Sequence, residues 1–167
     1  MRLFIAVPLS QTMRDSLTSC QNDLYDLGVR GNFSPEENLH ITLAFIGDYP
    51  DPDSVLDALD TVTFTPMTIS IDGIGAFGNL WWVGITGSPA LEALSRRIRR
   101  ALSEKEIPFD RKRFSPHITI LRKASVERIP PVQIIPASML IDRVVLYRSD
   151  RGRNGMIYTE VGCIEAE

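Results

Sequence analysis

Two histidines occur in this 167-residue chain, and both stand in the same setting, His-Ile-Thr followed by an aliphatic residue. His40 lies in Asn38-Leu39-His40-Ile41-Thr42-Leu43, and His117 in Ser115-Pro116-His117-Ile118-Thr119-Ile120. A lone histidine in an amphipathic strand is ordinarily a surface or hydrogen-bonded residue. Two matched units in a chain with no other histidine point instead to an internal repeat. An imidazole titrates near 6.5, so one of a pair can be neutral while the other is protonated at neutral pH. One then takes a proton from water while the other gives one to a leaving oxygen, each transfer typically contributing about 10²–10⁴-fold. The Thr42 and Thr119 hydroxyls suit the non-bridging oxygens of a phosphate. A nearby arginine, such as Arg122, suits the charge that grows as phosphorus becomes five-coordinate.

Other chemistries fit less well. Zinc sites need three or four ligands at short spacings, and Cys20 and Cys163 lie far in sequence from both histidines. No Gly-x-Ser-x-Gly elbow marks a serine hydrolase. Gly73-Ile74-Gly75 lacks the third glycine and the following helix of a dinucleotide loop. The aspartates of Gly47-Asp48-Tyr49-Pro50-Asp51-Pro52 lack the spacing of a calcium loop, and Asp51 reads as a helix cap.

The elements that must position the histidines follow from periodicity. Residues 39–46 are rich in β-branched and aromatic types and read as a strand. Residues i and i+2 of a strand share a face about 6.6 Å apart. His40 and Thr42 therefore share one face with Ile41 and Leu43 opposite, and His117 and Thr119 repeat this against Ile118 and Ile120. Residues 2–7 form a first strand rather than a signal peptide, because Pro8 breaks the apolar run and no small-residue cleavage site follows. Ser10 caps a helix over 11–27 whose Met13, Leu17, Cys20, Leu24 and Leu27 keep helical spacing. A second helix spans about 52–61. Residues 67–77 and 79–86 form a hairpin, with Trp81 and Trp82 on opposite faces. Ser88 caps a helix over about 89–104. Strands follow at 138–148 and 156–163, joined by a loop at Asp150-Arg151-Gly152-Arg153-Asn154-Gly155. The order β-α-β-α-β-β-α-β-β-β predicts an α+β fold with largely antiparallel pairing.

Composition narrows the setting. No apolar run approaches 18 residues, so no membrane helix is expected. Two cysteines are too few for a disulfide framework and read as reduced thiols of a cytoplasmic protein. Net charge is −3, unevenly spread. Residues 1–95 carry 3 basic and 12 acidic side chains, and residues 96–123 carry 10 basic and 3 acidic. The basic block, with Arg96, Arg97, Arg99 and Arg100, reads either as a field favouring an anionic ligand or as a solvated helix face.

Nearly the whole chain resembles the 2H phosphoesterases, and most closely their RNA 2′,3′-cyclic phosphodiesterase (2′-5′ RNA ligase) branch. The resemblance rests on Arg2-Leu3-Phe4-Ile5-Ala6, on the two motifs extended to Gly47 and to Arg122, and on Leu146-Tyr147-Arg148-Ser149. It implies one domain over 1–167, bilobal, with two pseudo-symmetric antiparallel-sheet lobes, helices outside and a central cleft. It implies hydrolysis of a ribose 2′,3′-cyclic phosphate to a 2′-phosphate without metal or cofactor, with reversible 2′-5′ ligation as a further activity. His40 would be the proton donor and His117 the proton acceptor. Thr42, Thr119 and Arg122 would hold the phosphate, and Phe45 would stack on a base. Its partners would be RNA or nucleotides with 2′,3′-cyclic phosphate ends, with no membrane and no obligate protein partner. A monomer is expected, because pseudo-symmetry already completes the site. Phe33 stands where the family often has Trp, and Leu121 replaces a usual small residue. The alternatives are a non-catalytic binder of RNA ends or nucleotides, and a related activity on 2′-5′ oligonucleotides or ADP-ribose cyclic phosphate.

Overall fold

Alternating apolar residues and well-placed turns build two antiparallel sheets, with three helices laid against their core faces. The computed structural model describes residues 1–86 and 89–167. In chain order these are β1 (Arg2–Pro8), α1 (Gln11–Asp26), β2 (Asn32–Phe33), β3 (His40–Asp48), α2 (Pro52–Asp60), β4 (Met67–Phe77) and β5 (Leu80–Thr86). There follow α3 (Pro89–Glu104), β6 (His117–Arg122), β7 (Ser138–Ile141), β8 (Arg143–Gly152) and β9 (Gly155–Glu165). One sheet has the order β3-β1-β8-β9 and the other β2-β6-β5-β4-β7. The class is α+β, as the element order implies.

Local chemistry explains the boundaries. Ser10 accepts from the Met13 amide at 3.2 Å and starts α1, whose Met13, Leu17, Cys20 and Leu24 are buried. Asp51 accepts from the Ser54 amide at 3.3 Å with Pro52 at the first helical position, starting α2. Ser88, expected to cap α3, lies outside the described residues. Leu91, Leu94, Ile98, Ala101 and Leu102 form the buried stripe of α3. Each such leucine contributes about 1.5–3 kcal/mol by leaving water. Trp81 is fully buried and Trp82 is not, as alternation requires.

The helices cross between sheets. α1 follows β1 of the four-stranded sheet but packs against β6 and β7 of the five-stranded one. α3 follows β5 of the five-stranded sheet but packs against β3 of the other.

Three boundaries depart from the sequence reading. A two-residue strand, β2, absent from the expected element order, pairs with the end of β6. The strand expected over 138–148 is two, β7 and β8, which belong to different sheets and part at Asp142. The expected loop 150–155 is mostly strand: β8 runs to Gly152 and β9 begins at Gly155, so only Arg153 and Asn154 turn. Its Asp, Gly and Asn look like loop chemistry, but ten paired rows of ladder carry the hairpin outward.

Candidate active site

Both motif histidines are held by the same backbone device. His40 Nδ1 lies 2.7 Å from the Asn38 carbonyl, and His117 Nδ1 lies 2.5 Å from the Ser115 carbonyl. In each case the partner is the carbonyl two residues upstream. A carbonyl only accepts, so Nδ1 carries the proton in both rings and Nε2 is left for chemistry. Nε2 of His40 sits 2.8 Å from the Thr42 hydroxyl. Nε2 of His117 has no hydrogen-bond partner among the described residues.

The strands are also bent alike. In β3, pairing with β1 passes from Ile5–Ala44 to Ala6–Thr42, leaving Leu43 as an extra residue. In β6, pairing with β5 passes from Trp81–Leu121 to Trp82–Thr119, leaving Ile120 as an extra residue. These are β-bulges three residues after each histidine. A regular strand would turn the fifth residue after a histidine to the opposite face. The bulge restores it to the histidine's face, and so aims Phe45 in one motif and Arg122 in the other.

Aromatic rings pack each imidazole. Phe4 and Tyr158 lie 5.0 and 5.5 Å from the His40 ring. Phe77 and Trp82 lie 5.5 and 6.1 Å from the His117 ring. Gly75 permits the second arrangement, because a Cβ there would meet the Trp82 ring at 2.3 Å. Two cavities adjoin. One of about 460 Å³ is lined by Asn32, Phe33, Asn38, His40, Thr119, Arg122 and Tyr158 among others. The second, of about 320 Å³, is lined by Arg2, Phe4, His40, Thr42, Phe45, Arg122, Ser149, Arg151, Met156 and Tyr158. His40 and Arg122 border both. Five of the six residues expected from sequence thus meet at one cleft, while His117 lines neither cavity and stands beside Phe77 and Trp82.

Electrostatics distinguish the two rings. Burial among the aromatic rings holds His40 below the ordinary imidazole value of 6.5. Its bond to the Asn38 carbonyl pulls the other way, and the positive charge of Arg122 lowers it further. His40 is therefore neutral at neutral pH. No Asp or Glu lines either cavity.

Of the basic block 96–123, Arg122 lines the cleft and the helical arginines do not. Arg96, Arg97 and Arg100 lie on α3, against the core side of β3, and line neither cavity. Arg99 reaches back to the Lys112 carbonyl at 2.7 Å and ties a loop in place. The field comes from Arg122 together with Arg2 and Arg151, drawn from three strands. Arg151 was hidden by the reading of 150–155 as a loop, whereas Tyr158 lay in the strand read over 156–163 and was not singled out. Arg2 alternates with Phe4 on the opening strand, and that alternation was the available signal.

The comparisons with known proteins decide the family. Residues 18–153 match the 2′-5′ RNA ligase superfamily. The chain belongs to that superfamily. Among relatives of this superfamily member, the RNA 2′,3′-cyclic phosphodiesterase of Archaeoglobus fulgidus is 35% identical over 131 residues, covering 73% of this chain and 72% of that protein. The RNA 2′,3′-cyclic phosphodiesterase of Geobacillus stearothermophilus is 30% identical over 162 residues, covering 88% of this chain. The match takes in 52% of that relative, so this chain spans about half its length. Among solved structures, E. coli LigT complexed with 3′-AMP superposes with a TM-score of 0.84 at 25% identity, covering 99% of this chain and 97% of that one. No helix of the superfamily member, among its described residues, is long and apolar enough to cross a membrane.

Proposed function

We propose that this protein is an RNA 2′,3′-cyclic phosphodiesterase that opens a ribose 2′,3′-cyclic phosphate to a 2′-phosphate by paired histidine acid–base catalysis, without metal or cofactor. One observation carries the reading. Two His-x-Thr units, each with Nδ1 committed to the carbonyl two residues upstream, meet at an arginine-lined cleft without carboxylates, the first through His40 and Thr42 and the second through Thr119. The names of the relatives support it.

His117, with Nε2 unengaged, takes a proton from water as the water oxygen bonds to phosphorus. His40 donates from Nε2 to the 3′ oxygen as the bond from phosphorus to that oxygen breaks, and the phosphate stays on the 2′ oxygen. The anion beside Arg122 places a negative charge near His40 that opposes the burial and the Arg122 charge depressing it, so His40 takes up its proton as substrate binds. Thr42, Thr119 and Arg122 hold the non-bridging oxygens through the five-coordinate state. Phe45 lines the second cavity and offers its ring to a base of the substrate. With a 5′-hydroxyl in place of water, the same steps join two chains through a 2′-5′ bond. The whole chain acts as one domain and as a monomer, since both histidines come from it.

The leaving group separates the two roles. A ribose alkoxide needs an acid to leave, whereas a nitrophenolate does not. His40→Ala should lose most activity on a 2′,3′-cyclic nucleotide yet recover much of it on a nitrophenyl phosphodiester. His117→Ala should stay impaired on both. Rescue of His117→Ala instead would reverse the assignment. Absence of turnover by the wild type on cyclic-phosphate nucleotides and oligonucleotides would leave the non-catalytic binder and the related activity on 2′-5′ oligonucleotides or ADP-ribose cyclic phosphate.

A further inference from the structure

The second cavity holds more positive charge than the reaction uses. A cyclic phosphate diester is a monoanion, and Arg122 alone balances it. Arg2 and Arg151 line the same cavity, and neither has an acidic partner among the described residues. Elsewhere on the surface Arg14, Arg143 and Arg148 each face a carboxylate, at 3.9, 2.8 and 2.7 Å. Asp48 stands across from Arg2 in strand register, yet no ion pair forms.

The two free guanidinium groups are placed by the sheet. Arg2 pairs with Ser149 across β1 and β8, and Arg151 lies two residues farther along β8 on the same face, about 6.8 Å away. The Ser149 hydroxyl between them has no protein partner among the described residues, and it lines the cavity. The Arg2 guanidinium lies 5.0 Å from the centre of the Phe45 ring, which holds it at the cavity wall.

We infer that Arg2, Ser149 and Arg151 form a second anion subsite, which takes the phosphate ester on the 5′ side of the nucleotide whose cyclic phosphate is opened. This rests on the proposed function. A 2′,3′-cyclic phosphate closes the 3′ end of an RNA, so any further phosphate of the substrate lies on the 5′ side. Arginine suits it, because the planar fork meets phosphate oxygens in pairs. The enzyme is thereby tuned to chain ends and 5′-phosphorylated nucleotides over bare cyclic nucleosides.

Binding and turnover test this separately. By calorimetry, adenosine 2′,5′-bisphosphate should bind the wild type about tenfold more tightly than adenosine 2′-monophosphate, about 1.4 kcal/mol. In the Arg2→Gln/Arg151→Gln double variant that ratio should fall to within about twofold, and Arg148→Gln, whose side chain pairs with Asp150, should keep the wild-type ratio. The kcat/KM ratio for adenosine 2′,3′-cyclic phosphate with and without a 5′-phosphate should move in parallel. The single variant Arg151→Gln, at an exposed position, gives an intermediate ratio even if the double variant folds poorly. A wild-type binding ratio near one, or a ratio the double variant leaves unchanged, overturns the subsite whatever the turnover. A ratio that behaves as expected without turnover of either cyclic substrate upholds the anion subsite and defeats the enzymatic reading.

Discussion

The Gln21 side chain donates from Nε2 to the main-chain carbonyl of Ile120 at 2.9 Å, and Ile120 is the extra residue of the β6 bulge. The same amide donates to the Ser34 carbonyl at 2.9 Å. On the other sheet Ser95 Oγ donates to the carbonyl of Leu43, the extra residue of the β3 bulge, at 2.9 Å. Each bulge is thus pinned by a helix that follows a strand of the opposite sheet.

Gln21→Met should therefore act at a distance. Leaving the Ser34 carbonyl unpaired should cost about 1–3 kcal/mol of stability. If Gln21 serves by fixing the bulge that aims Arg122, kcat/KM should fall severalfold in the wild-type background and little further in Arg122→Ala. A double-mutant cycle reads the difference, and additive losses would reduce Gln21 to a structural role.

The depressed His40 gives a pH signature. In the unfolded chain His40 protonates near 6.5, and in the folded chain only at lower pH. Between those values the unfolded chain holds more protons, so stability present above pH 6.5 is lost as pH falls toward the folded value. Thermal melts of wild type and His40→Asn should diverge in that window, with wild type falling faster. Arg122→Ala should raise the His40 midpoint, which two-histidine NMR titration resolves directly.

Gly75 is the weak point beside His117. In Gly75→Ala the new methyl must displace the Trp82 ring, which packs on Phe77 at 5.3 Å and on His117. Overpacking of this kind typically costs about 1–3 kcal/mol. Trp82→Leu in the same chain should recover that stability, and unchanged melting of the single variant would show that the ring yields freely.

Chelation should leave the rate alone. Among the described residues no group of three His, Cys, Asp or Glu is close enough to hold a metal ion. Turnover of a cyclic nucleotide should match with and without EDTA. Loss under chelation and rescue by a divalent ion would sink the two-histidine mechanism.

The histidine–threonine faces were legible because a strand alternates with period two. The same rule failed five residues on. Counted along a regular strand, Phe45 and Arg122 fall on the core face with Ile41 and Ile118. Nearness to the second motif nominated Arg122 and only the family resemblance nominated Phe45, because the bulges that turn them are set by tertiary contacts with Gln21 and Ser95. Helices α1 and α3 were readable from their stripes, and α1 and α2 from their caps. The sheet each one covers was not, since an apolar stripe does not name its partner. Arg2 and Arg151, distant in sequence, meet only through pairing across Ser149.

The crossing of α1 and α3 between sheets has a consequence for inheritance and engineering. Each repeat is a strand, a helix and a motif strand, and its helix lies on the other repeat's sheet. Separated, such a unit would carry a bare helix stripe beside a bare sheet face. It would be stable only as a pair exchanging helices, the arrangement seen in domain-swapped dimers. The single polypeptide is the covalent form of that exchange. Grafting one motif half onto another scaffold would transfer a histidine without the helix that fixes its bulge.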